Sequence, residues 1–107
     1  MLRYAFERAE TTLDPQKVSD LYSNMANGAI FDAPLRYDYL ARPLKLKPNT
    51  LASMPQISAD GLTYTLRVQP GIYFNDDPAF NGKKRELVAE DYVYSIKRLL
   101  DPRLRTG

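Results

Sequence analysis

Residues 54–102 run through an order of local signals that few folds accommodate. Asp60-Gly61 can supply the two positive backbone φ angles of a tight type I′ hairpin turn. After it the chain alternates strictly. Leu62, Tyr64, Leu66 and Val68 share one face, and Thr63, Thr65 and Arg67 share the other. Pro70-Gly71 predicts a second turn, of type II, leading into a short aromatic strand at Ile72-Tyr73-Phe74. A polar stretch from Asn75 to Glu86 follows, with a further turn at Asn81-Gly82 and a basic run at Lys83-Lys84-Arg85. The chain then turns helical. Glu90 and Asp91 place negative charge at the helix start, and Lys97 and Arg98 place positive charge near its end. Both signs favour the helix dipole. Val93, Ile96 and Leu100 form an apolar stripe, widened by Tyr92 and Leu99, and Asp101-Pro102 ends the helix. Tyr64, Leu66, Val93 and Ile96 are the expected core of this half.

The first half is less regular. Leu2, Tyr4 and Phe6 alternate with Arg3, Ala5 and Glu7, a strand pattern. Arg8 to Thr12 reads as a strand-end loop. Asp14 can cap a helix that Pro15 opens. Val18, Leu21, Tyr22, Met25 and Ala29 fall at helical spacing and predict a helix over about residues 17–31 with that stripe facing a core. Gly28 weakens it by ~1 kcal/mol relative to alanine, and Asp32-Ala33-Pro34 ends it. Leu35 to Pro48 predicts one or two short strands, because Pro43 and Pro48 interrupt any longer one. Leu51-Ala52-Ser53-Met54 fits neither period.

Several function classes are disfavoured by what the chain lacks. It has 107 residues, enough for one small domain, and 44% of them are apolar, which disfavours disorder. Fifteen basic and 13 acidic side chains leave a net charge of +2, too balanced to imply nucleic acid or an anionic membrane. No apolar run approaches the ~20 residues that cross a bilayer. With no histidine and no cysteine, Ser-His and Cys-His devices and thiolate ligands are excluded. No phosphate-loop motif is present. The expectation is therefore no enzyme, no metal and no cofactor.

The remaining polar clusters each have a plain reading beside a functional one. Glu90-Asp91 reads as helix-terminal charge, and Asp76-Asp77 as a solvated turn or a weak calcium ligand set. Lys83-Lys84-Arg85 reads as a solvated loop or a phosphate contact. Tyr64, Tyr73 and Phe74 could stack on bases, yet Tyr64 shares its face with Leu62 and Leu66 and lacks the glycine-aromatic signature of an RNA-binding sheet. The loop Arg8-Ala9-Glu10-Thr11-Thr12 lies between an expected strand and a helix, where open α/β folds bind ligands. An ordinary loop would look the same.

Taken together, these segments resemble the N-terminal portion of the extracellular solute-binding protein family 5, the oligopeptide- and dipeptide-binding class of ABC importers. The family has a strand, a loop and a Leu-Asp-Pro, matched by Leu13-Asp14-Pro15. A helix leads to a segment like "LYEGL", where this chain has Ala29 through Leu35. The family pattern "LAxSWxxSxDGxxYTFxLRxGVxF" stands here as Leu51 through Phe74, and a "TAxDVxxSxxRxxDP" helix matches Val88 through Pro102. Some positions depart from the pattern. Asn75-Asp76-Asp77 replaces the usual "HDG", residues 78–87 look inserted, Val88 stands for the capping threonine, and Met54 or Pro55 for a tryptophan. These departures indicate a divergent subfamily and bear on ligand class more than on fold.

The resemblance implies an α+β piece of a bilobal α/β periplasmic-binding-protein fold of class II. Short antiparallel strands and a hairpin would pack with two helices. Residues 1–35 would be the first strand and helix of the large lobe, and 36–107 an accessory subdomain, in a protein several times this length. The implied function is capture of peptides or related small solutes, and their delivery to ABC permease subunits. The implied location is the periplasm, with the signal peptide lying outside this chain. The resemblance places the loop at the cleft, so Arg8, Ala9, Glu10, Thr11 and Thr12 are the expected ligand-binding residues. Glu10 would meet a ligand amine, the threonines would donate hydrogen bonds, and Ala9 would offer backbone groups. A piece of such a protein would expose surfaces that favour dimers or domain swapping. The competing readings are a complete small structural domain and a nucleic-acid-binding module.

Overall fold

The computed structural model describes residues 1 and 3–104. In chain order they form helix α1 (Leu21–Ile30), strands β1 (Leu35–Tyr37), β2 (Leu46–Pro48), β3 (Gln56–Ile57) and β4 (Tyr64–Thr65), a 3-10 turn at Pro78–Phe80, and helix α2 (Ala89–Leu99). Two compact units result. One is the chain up to Phe31 together with the chain from Val93 onward, and the other is Asp32–Tyr92.

In the first unit, α1 starts later than its apolar spacing predicts. Asp14 does not cap it. Its carbonyl accepts from the Lys17 N–H at 3.0 Å and its carboxylate from the Gln16 N–H at 3.2 Å, which closes a turn over Pro15. Asp20 is the cap instead. It is extended (φ −111°, ψ 157°), and its carboxylate accepts from the Ser23 N–H at 2.8 Å. The helix stops at Ile30, with Phe31 extended ahead of Pro34. Residues 3–7 pair with no strand among the described residues, and Leu2 lies outside them. A strand is completed only by a partner's N–H and C=O groups, so alternation alone did not make one. The alternation still sets side-chain direction. Tyr4 and Phe6 meet edge-on at 5.6 Å, and Phe6 meets Tyr22 at 5.5 Å.

The second unit is antiparallel throughout. β1 pairs with β2 in the register Leu35↔Pro48, Arg36↔Lys47, Tyr37↔Leu46. β3 pairs with β4 through Gln56↔Thr65 and Ile57↔Tyr64. That ladder resumes at Leu51↔Val68, where the Ala52 N–H donates to Arg67 O at 2.8 Å and the Gln69 N–H to Thr50 O at 2.9 Å. The expected strand at Ile72-Tyr73-Phe74 reduces to an isolated bridge, Tyr73↔Glu86, through which the segment that looked inserted folds back on these aromatics. The Phe74 N–H donates to Arg85 O at 2.9 Å and the Leu87 N–H to Ile72 O at 2.8 Å.

The turns exchange their expected roles. At Asp60-Gly61 only Gly61 has positive φ (+71°). The Gly61 N–H donates to Ser58 O, and the Asp60 carboxylate accepts from the Leu62 N–H at 3.0 Å and from the Ser58 hydroxyl. Asp60 thus spends its side chain on a wider loop instead of entering the left-handed region. The two-residue signature appears at Asn81-Gly82, with φ of +50° and +73° and the Lys83 N–H bonded to Phe80 O at 2.9 Å.

α2 carries half of a capping box. The Asp91 carboxylate reaches back to the Val88 N–H at 2.8 Å, but Val88 has no hydroxyl to return the bond. Arg85 binds the same carboxylate through both terminal nitrogens and lies over the Phe74 ring at 5.2 Å. Lys84 pairs with Asp76 at 3.0 Å.

The expected core is not buried. Tyr64, Leu66, Val93 and Ile96 are all exposed, Ile96 at 62%, and so are Leu21, Met25 and Ala29 of the α1 stripe. Among the described residues the buried apolar side chain is Leu51, at 1%. Thr50, beside it, is also buried and bonds the Tyr92 hydroxyl. The apolar faces have the right period but lack the layers that would cover them.

Candidate functional site

The loop at residues 8–12 is built on the start of α1. The Ser23 side chain is fully buried at 0% exposure. Its oxygen accepts from the Thr11 N–H at 2.9 Å and from the Thr12 N–H at 3.4 Å. That uses both lone pairs of a serine hydroxyl and leaves one proton to donate. The Thr11 hydroxyl donates to Asp20 Oδ2 at 2.5 Å, while Asp20 Oδ1 holds the Ser23 N–H. Hydrogen bonds from Ser23 first, then from Thr11, hold the Asp20 carboxyl down from its usual 3.8 to about 2.

A second tie fixes the far end of the loop. The Thr12 hydroxyl accepts from the Asp14 N–H at 3.1 Å. The Asp14 carboxylate binds both terminal nitrogens of Arg98 at 2.8 and 2.6 Å, a fork-to-fork pair. The hydrogen bond from Arg98 is the largest cause of its depression to about 2. Gln16 donates from its side chain to Ser95 O at 2.5 Å.

The expected ligand residues therefore divide. Thr11 and Thr12 come together on Ser23, with the Thr11 hydroxyl proton given to Asp20. Arg8, Ala9 and Glu10 are exposed, and the Arg8 and Glu10 side chains make no hydrogen bond or ion pair among the described residues. Their charges and the Ala9 backbone are what the loop offers to solvent.

Two residues the sequence reading passed over are central here. Ser23 and Asn27 are one turn apart and are the buried positions of α1. Both polar atoms of the Asn27 side chain are buried without a protein partner. The signal was their i, i+4 spacing. It was hidden because the neighbouring stripe from Leu21 to Ala29 is more apolar.

The chain is 38% identical over 71 residues to the glutathione-binding protein GsiB of Pectobacterium atrosepticum, covering 66% of this chain and 13% of that protein. It is 42% identical over 52 residues to di/tripeptide-binding protein 2 of Pseudomonas aeruginosa, covering 49% of this chain and 10% of the relative. Di/tripeptide-binding protein 4 of the same organism is 35% identical over 68 residues, 58% of this chain and 13% of that protein. Over part of its length the chain is similar to these curated proteins, which are family 5 solute-binding proteins. It spans about a tenth to an eighth of the length of these relatives. No family model matches it, and no solved structure does.

The basic run, the feature that favoured nucleic acid, is largely committed elsewhere. Lys84 and Arg85 are held by Asp76 and Asp91. No helix among the described residues is long and apolar enough to cross a membrane.

Proposed function

We propose that this chain forms part of the substrate-binding component of an ABC importer. That component captures short peptides in the periplasm and hands them to the membrane permease. The supporting observation is the 35–42% identity to glutathione-binding and di/tripeptide-binding proteins. The relatives are named for binding, and the reading is accordingly a binder and not an enzyme.

In this reading residues 1–35 supply the first strand and helix of the larger lobe of a bilobal class II fold, and residues 36–107 an accessory subdomain. The segment at residues 3–7 gains its partner strand from chain outside the present sequence. The ligand meets the loop at Arg8, Ala9, Glu10, Thr11 and Thr12. Glu10 faces the ligand amine and Ala9 offers main-chain groups. Thr11 and Thr12 hold the loop in shape through Ser23 and have only their remaining hydrogen-bonding capacity for the ligand. Extended peptides suit such a site, because main-chain hydrogen bonds give affinity while roomy, wet side-chain pockets tolerate varied sequences.

The test is calorimetric titration of the protein expressed from its intact gene with glutathione, a dipeptide and a tripeptide. Saturable binding of at least one is expected, and Glu10→Ala should weaken it by ~1–3 kcal/mol. Heat signals absent for all three would refute the peptide reading. Unchanged affinity in Glu10→Ala would refute the role of Glu10 alone.

A further inference from the structure

The chain contains the dipeptide Asn-Gly twice, at Asn27-Gly28 and at Asn81-Gly82. As sequence the two are equivalent. Asparagine followed by glycine is the pairing most open to self-modification, because glycine puts no side chain in the way of its own backbone nitrogen. The structure separates them. Asn27 is 7% exposed, and Asn27-Gly28 lies inside α1, where the helix ladder occupies the Gly28 N–H. Asn81 and Gly82 are both exposed at the tip of the segment that returns to Ile72-Tyr73-Phe74. Among the described residues no hydrogen bond holds the Gly82 N–H. A β-carbon built on Gly82 would meet nothing within 4 Å. Lys83 follows directly, and its positive charge favours the deprotonated amide nitrogen that attacks.

We propose that Asn81 is a site of spontaneous deamidation in the folded protein and that Asn27 is protected. Hydroxide removes the Gly82 amide proton. The Gly82 nitrogen attacks Asn81 Cγ, a C–N bond forms, and the Cγ–Nδ2 bond breaks with release of ammonia. Water then opens the five-membered imide at either carbonyl, leaving aspartate or isoaspartate at position 81. No oxidation occurs, and one amide is exchanged for one carboxylate at the cost of one water. Ring closure requires the Asn81 backbone to rotate out of its left-handed turn (φ 50°, ψ 41°). What opposes this is local: the Lys83 N–H bond to Phe80 O and the Asn81 N–H bond to Pro78 O. At Asn27 the same rotation would break the last turn of a helix and uncover a buried side chain.

The isoaspartate product matters to the fold as well as to charge. It lengthens the backbone by one carbon within a turn whose two residues both need positive φ. That turn returns Arg85 to its place over Phe74 and against Asp91.

The experiment is incubation of the intact chain in mildly alkaline buffer, once native and once in denaturant, followed by proteolysis and mass spectrometry. The native sample should show the one-dalton gain at Asn81 at least ~10-fold faster than at Asn27, since the second site must first open a helix. In denaturant the two should react at similar rates. Equal native rates, a faster Asn27, or an Asn81 no faster than Asn24 would each overturn the proposal.

Discussion

At the scale of single residues, Ser23 carries the most. It organises two backbone donors and a carboxylate from a fully buried position, so Ser23→Ala leaves the Thr11 and Thr12 N–H groups without their acceptor. A loss of ~1–3 kcal/mol in chemical denaturation is expected. Unchanged stability would show that the loop is not held by α1. Asp14 and Asp20 give a second test. Both carboxyls fall from 3.8 to about 2 in the folded chain. Their contribution is therefore complete above pH about 3.8 and is lost as pH falls towards 2. Thermal melts across that window should show an acid limb that flattens in Asp14→Asn and again in Asp20→Asn. A limb of undiminished slope in both variants would contradict the assignment. These residues were only partly legible in the sequence. Asp14 was read as a helix cap, yet its partner is Arg98, 84 positions away, and no local pattern reports such a separation. Asp20 was overlooked because Asp14-Pro15 offered a competing cap signal closer to the expected helix start.

At the scale of elements, local chemistry was readable and burial was not. The pairing of β3 with β4, the short strands around Pro43 and the charged ends of α2 follow from alternation and dipole sign, which act within a few residues, although the turn type expected at Asp60-Gly61 did not form. Which face is covered depends on neighbours. The stripe of α2 has helical period, but Ile96 is 62% exposed, while Leu51, in a stretch with no clear period, is 1% exposed. The two should respond oppositely to truncation. Leu51→Ala should cost ~2–5 kcal/mol, whereas Ile96→Ala in this chain should stay within about 0.5 kcal/mol. Denaturant melts of the two variants check this directly, and a larger loss for Ile96 would mean that the helix stripe is covered in solution.

At the scale of the whole molecule, the apolar side chains of α2 and of the β3–β4 hairpin are exposed. Apolar faces and strand edges of this kind favour association. The chain studied alone is expected to form dimers or larger species as concentration rises, measured by sedimentation or light scattering. A monomer at all concentrations would mean that these faces tolerate water. The central claim is that these elements belong to a peptide-binding importer component. It is tested most directly by native mass spectrometry of the protein expressed from its intact gene, as purified. The account predicts bound masses that sequence as short peptides and that are released on denaturation. A protein that carries no such mass, and that no added peptide stabilises against unfolding, would contradict it.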